Sequence, residues 1–194
     1  MQHECPTNRT ACVDLSAYDN ARYQPGRGSF VRALWFFGGC PLVRCRVNPF
    51  SNLKAAILRL FGAHIGRHVV LKPGLHVKYP WRLRVGDNCW IGDDAWLDNL
   101  GQITLADDVC ISQGAYLCTG NHSWTDPTFR LIVKDIRLLQ GSWVGARSVI
   151  CPGVTLGEGA IAAVGSVVTR DIPDFQVHAG NPASFSHRRV VEKR

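Results

Sequence analysis

Aliphatic residues recur every six positions through the middle of the chain. They run Ile65, Leu71, Val77, then Val85, Ile91, Leu97, then Leu105, Ile111, Leu117, and finally Val144, Ile150, Leu156, Ala162, Val168. A period of six matches neither the ~3.6-residue helix repeat nor the two-residue alternation of a lone strand. It matches short strands joined by tight corners, each turning one large apolar side chain inward. The next residue is small in most steps (Gly66, Gly86, Gly92, Ala106, Ser112, Gly145, Gly157, Ala163), and so is the residue four after the aliphatic (Cys89, Ala95, Ala115, Ser148, Ala160, Ser166). Three steps close a triangular coil, and coils stacked at strand spacing of ~4.8 Å form a prism held by neighbour contacts.

The pattern predicts an all-β chain. A parallel β-helix covers residues 63–172, preceded by an extension over 1–62 and followed by a tail over 173–194. Within the extension, Ser29 opens SFVRALWFF and Ser51 opens SNLKAAILRLFG, which ends at Gly62; both read as short capped helices with apolar faces. The coil starts at 65, 85 and 105 are twenty apart rather than eighteen, so two residues enter each coil after its third step. A larger interruption, 119–142, follows Leu117, and the register is expected to resume at Val144. All these irregularities fall on one side of the prism, where a site is expected.

Charge sharpens this picture. The 22 Lys and Arg outnumber the 15 Asp and Glu, giving a net charge of +7. The excess sits at the two ends, with 8 basic and 3 acidic residues in 1–60 and 4 and 1 in 183–194, around a nearly neutral body. That distribution is not the continuous basic stripe of a nucleic-acid binder. Arg32, Arg44, Arg46, Lys54 and Arg59 surround the two helices, which either dock on the prism end or rest on a membrane surface. The stretch Ala33–Val43 is too short to span a bilayer, and the first 30 residues hold no apolar leader core, so a cytoplasmic location is expected. The eight cysteines (5, 12, 40, 45, 89, 110, 118, 151) include no C-x-x-C pair and read as reduced thiols.

The hexads, together with IGDDAWL, CISQGAYLCTGNHSW, VGARSVICPGVTLGEGA and VGSVVTRDIPDFQVHAGNPA, resemble the hexapeptide-repeat acyltransferases. The likeness is nearest to the O-acetyltransferases of bacterial exopolysaccharide synthesis and spans about residues 14–187. It implies a left-handed parallel β-helix, an exception to the usual right-handed crossover. It also implies a homotrimer and acetyl-CoA as co-substrate. The acceptor implied is a sugar or lipid-linked sugar hydroxyl, with no metal and no nucleic acid.

His122 lies in TGNHSWTDP, where the repeat breaks, and is the candidate base. An alcohol attacks a thioester only as it loses its proton, and imidazole, titrating near ~6.5, suits that task. The resemblance assigns His122 that role. It matches Asp98 and Asn99 to acceptor-binding positions, although corner turns also favour Asp and Asn. Trp143, Gly145 and Ala146 match the segment holding the pantetheine arm, with the Ala146 N–H as oxyanion donor. Val164, Thr169 and Arg170 match positions lining the coenzyme. Family arginines are replaced here by Ser184 and His187, leaving Arg188 and Arg189 as substitutes at the phosphate. Three alternatives stay open: a non-catalytic β-helix scaffold, an acetyltransferase acting on an amino sugar or antibiotic, and a carbonic-anhydrase-like zinc site, for which only His122 is suitably placed. Trp81, Trp90, Trp96 and Trp124 are expected to be mainly buried.

Overall fold

The computed structural model describes residues 13–192. Cys5, Cys12, Lys193 and Arg194 lie outside them. The column has three faces. The first stacks strands 64–65, 83–85, 103–105, 136–138 and 155–156; the third stacks 76–77, 96–98, 116–118, 149–150 and 167–168. The second runs from 70–71 through 90–91, 110–111, 143–144 and 161–162 to 176–180 and 183–188. Pairing is parallel between coils, so Ile65, Val85, Leu105, Leu138 and Leu156 stack in line. The six-residue pattern thus becomes three continuous apolar rows; Leu71, Ile91, Leu97, Ile111, Leu117 and Ile150 are completely buried.

The small residues after each aliphatic follow from coil stacking. A Cβ on Gly92 would lie 2.5 Å from the Gln113 backbone nitrogen, and one on Gly145 would lie 2.6 Å from that of Val164. Aspartates satisfy the N–H groups freed at the bends: Asp87 Oδ1 accepts from the Arg67 N–H at 2.8 Å, and Asp107 Oδ1 from the Asp87 N–H at 2.7 Å.

The structure departs from the sequence reading in three places. The register resumes one step earlier than expected, at Leu138, which pairs with Leu105 below and Leu156 above. Leu138 lacks the small follower that marks other steps (Leu139 comes next), so the hexad signature is absent there although the inward position is filled. The first helix is also longer. α1 (Ser29–Leu34) continues through a π-helical turn, Trp35–Gly39, into α2 (Cys40–Arg44). In that turn Gly39 lets the Trp35 ring close on Phe61; a Cβ there would meet the ring at 2.5 Å. Trp35, Val43 and, from α3 (Ser51–Leu60), Ala55 and Leu58 join the prism core. Within the tail, Gln176–Gly180 adds a strand parallel to Ile161–Ala162, and Ala183–Arg188 returns antiparallel. Finally, Trp90, Trp96 and Trp124 are exposed because they occupy outward positions or the broken corner, and only Trp81 packs partly against the core.

The six described cysteines are free thiols. Burial pushes the Cys89 thiol up to about 11, and it sits 3.0 Å from the Ala106 carbonyl. Iodoacetamide at neutral pH is therefore expected to leave Cys89 unmodified in the native protein and to label it after unfolding. Native labelling, read by peptide mass mapping, would contradict that burial.

Candidate active site

The chain leaves the column after Tyr116–Cys118 and forms a two-stranded antiparallel ribbon, Gly120–His122 with Leu131–Val133, before rejoining at Ile136. His122 pairs across the ribbon with Leu131. Its Nδ1 lies 2.8 Å from the Phe129 carbonyl oxygen. A carbonyl only accepts, so the neutral ring carries its proton on Nδ1 and leaves the Nε2 lone pair free to take one. The ring is further held by the Phe129 side chain, stacked at 4.3 Å and 3°, and by Tyr18 at 5.6 Å. Tyr18 arrives on the segment before α1, which is tied to the ribbon through the Asp14 N–H donating to Pro127 O at 2.8 Å. Sequence reading missed Phe129 and Tyr18. Tyr18 is remote in the chain and Phe129 acts through its carbonyl, and neither feature leaves a local motif.

His122 opens on a groove of about 500 Å³ shared with Trp124, Lys134, Cys151, Pro152 and Thr169. Thr169 is therefore brought to the imidazole, while Arg170, its neighbour, is exposed on the same corner. Trp143, Gly145, Ala146 and Val164 gather elsewhere, in a groove of about 490 Å³ that also includes Gln113 and His187. Trp143 Nε1 donates to Ser112 Oγ at 2.8 Å, which fixes the indole as one wall, and Val164 is exposed. Among the described residues the Ala146 N–H makes no hydrogen bond, so it is free to donate to an incoming oxyanion. The two grooves lie at opposite edges of the third face. The first follows strand 116–118, whereas the second is the corner between strands 143–144 and 149–150.

Asp98 occupies a third groove, of about 500 Å³, between the third face and the π-helical turn. Its carboxylate lies 3.0 Å from Lys78 Nζ and accepts from the Tyr116 hydroxyl at 3.1 Å. Burial, with Cys118 and Asp98 beside it, holds the Tyr116 phenol well above its ordinary range, so it stays a donor. Asn99 does not share this groove and corrects the expectation that it meets the acceptor. It is fully buried, its Oδ1 accepts from the N–H groups of Lys78 and Tyr79, and its Nδ2 donates to the carbonyls of Tyr79 and Arg82. Arg189 is also largely committed, donating from Nη1 to the carbonyls of Gly141 and Gly159, while Arg188 remains exposed. Among the described residues no three His, Cys, Asp or Glu side chains converge as a metal site.

A family model described as the hexapeptide repeat of succinyl-transferase matches residues 140–170. The colanic acid biosynthesis acetyltransferase WcaF of Escherichia coli (strain K12) is 34% identical over 177 residues, covering 91% of this chain and 97% of WcaF. The chain belongs to the hexapeptide-repeat acyltransferases. A crystal structure of a hexapeptide-repeat acetyltransferase from Vibrio cholerae superimposes on this acyltransferase with a TM-score of 0.74, at 25% identity, covering 83% of this chain and 93% of the other. The same Vibrio protein complexed with acetyl coenzyme A gives a TM-score of 0.75 at 23% identity, covering 84% and 88%. The prism with its short helical N-terminal segment is thus the fold of the family, and the broken corner carrying His122 is where this acyltransferase departs from a plain column.

Proposed function

We propose that this acyltransferase is a homotrimeric, acetyl-CoA-dependent O-acetyltransferase whose acceptor is a sugar hydroxyl on a surface-polysaccharide precursor. The observation that carries the reading is the His122 ring, with Nδ1 occupied by a carbonyl and Nε2 open to a groove. The 34% identity to WcaF, a protein named for colanic acid biosynthesis, supports the acceptor class.

The second groove suits the donor. Trp143 and Val164 supply apolar walls for a pantetheine chain, and the free Ala146 N–H supplies a dipole for the thioester oxygen. Arg170 and Arg188, both exposed, offer cations to the phosphates. In the reaction, His122 Nε2 takes the proton of the acceptor hydroxyl as that oxygen attacks the thioester carbonyl carbon. The Ala146 N–H holds the oxyanion, the C–S bond breaks, and the imidazolium returns its proton to the departing thiolate. An acetyl ester and a free thiol result. Asp98, anchored by Lys78 and Tyr116, accepts from an acceptor hydroxyl. Thr169 lines the groove onto which His122 opens.

One chain places imidazole and donor groove on different corners, so a neighbouring copy completes the site, which is why a closed trimer belongs to the proposal. The test is thiol release from acetyl-CoA against a panel of sugars. Release with a neutral sugar, and an ester in the product by mass spectrometry, is the expected result. Release only with amino sugars would replace the O-acetyl reading by an N-acetyl one, and a protein showing neither turnover nor a rise in Tm at saturating acetyl-CoA would be a scaffold. Saturation at ~100 times Kd contributes ~2.7 kcal/mol to the folded state.

A further inference from the structure

The helical block at the start of the column is apolar on two sides. Trp35, Gly39 and Val43 face the prism and are buried. Phe30 and Leu34, four residues apart, are exposed on the outer side, Phe30 at 80%; Phe37, 78% exposed, stands at the rim of the groove that holds Asp98. α3 repeats the arrangement, burying Lys54, Ala55 and Leu58 while leaving Leu53, Ala56 and Leu60 open. An exposed apolar patch rimmed by polar side chains marks a partner or membrane contact, and among the described residues nothing covers these outer stripes.

Charge decides what covers them. From residue 20 to residue 86 the sequence has 12 Lys and Arg and no Asp or Glu. Three of these cations reach carboxylates of the second coil: Arg46 to Asp94, Arg67 to Asp87 and Lys78 to Asp98. Among the described residues Arg27, Arg32, Arg44 and Arg59, which lie in or beside the helical block, form no ion pair. A second copy meeting this face with its own, as in a two-fold pair, would bring another uncompensated basic block to the contact, and like charges at a desolvated interface repel. An anionic bilayer surface complements both features, taking apolar side chains into its acyl boundary and cations among its headgroups.

We propose that the helical block docks this acyltransferase on an anionic phospholipid surface, inserting Phe30, Leu34 and Phe37 from α1 and its π-helical turn and Leu53 and Leu60 from α3, with Arg27 and Arg44 at the headgroups. This goes beyond the acyl-transfer reading and does not depend on it. The contact is peripheral; no described helix is long and apolar enough to cross a membrane.

The test is flotation of the full chain with vesicles of one part phosphatidylglycerol to three parts phosphatidylcholine, against phosphatidylcholine alone. The protein is expected to float with the anionic vesicles, to stay behind with the neutral ones, and to be released by high salt. The variant F30S/L34S is expected to weaken vesicle affinity at least ~10-fold, because each side chain withdraws an inserted apolar surface. R44E is expected to weaken it several-fold through charge alone. Both alter exposed positions, so unchanged circular dichroism is expected, and R44E retains the test should the apolar variant fail to fold. Absence of flotation overturns the proposal. So does F30S/L34S floating like the wild type, or a fall in oligomer mass by light scattering with vesicle affinity unchanged, which would make the stripe a contact between copies.

Discussion

Replacing His122 by alanine is expected to lower turnover ~10³-fold while leaving the fold and donor affinity in place. The size follows from what the imidazole does. General-base catalysis contributes typically ~10²–10⁴-fold, and among the described residues lining this groove His122 carries the only imidazole. Donor affinity is expected to survive because Trp143, Gly145, Ala146 and Val164 lie in a different groove of the chain. The ribbon is also expected to survive, since its backbone pairing, His122 with Leu131 included, does not use the ring. The measurement is thiol release under saturating acetyl-CoA beside a thermal shift with the same ligand. Retained turnover would remove His122 from the chemistry, and loss of the thermal shift would show that the change had damaged the donor site.

The second large effect concerns stability. Asn99→Ala is expected to destabilise the column by ~3–4 kcal/mol, since four hydrogen bonds at ~1 kcal/mol each disappear and leave buried peptide groups at the corner without partners. For a chain of this size that corresponds to a fall in Tm of ~10 °C. Acceptor KM is expected to change little in comparison, measured below the new Tm. A large rise in acceptor KM with Tm unchanged would restore Asn99 to the binding site.

Asn99 also shows where sequence reading stops. Position and residue type suited acceptor binding and corner stapling equally, and only burial separates them. The six-residue rows, by contrast, are legible because coil stacking asks for an inward apolar side chain at every step and, along the first face, for a small residue after it so that the next backbone can approach. Leu138 escapes the pattern because it lies on that face, where Gly66, Gly86, Ala106 and Gly157 follow the other inward residues and Leu139 follows it. His122 stood out because the repeat fails around it. The grip of Phe129 and Tyr18 on its ring left no trace, one acting through a peptide carbonyl and the other arriving from the N-terminal segment. Trp90 and Trp96 were misjudged for a related reason. On a narrow column the interior takes one aliphatic per face, and an indole at the preceding position has to point outward.

The proposed reaction needs the imidazole of one copy to meet the donor groove of another, and mixing two inactive variants measures that directly. H122A keeps the Trp143–Val164 groove, whereas V164E keeps the imidazole and bars the groove with a charge at an exposed position. Co-assembled from a mixture, the two are expected to regain about a quarter of wild-type turnover, because random association places an intact imidazole beside an intact groove at that fraction of interfaces. A mixture that forms hybrid oligomers and stays as inactive as its parents would place both halves of the site within a single chain and contradict the account.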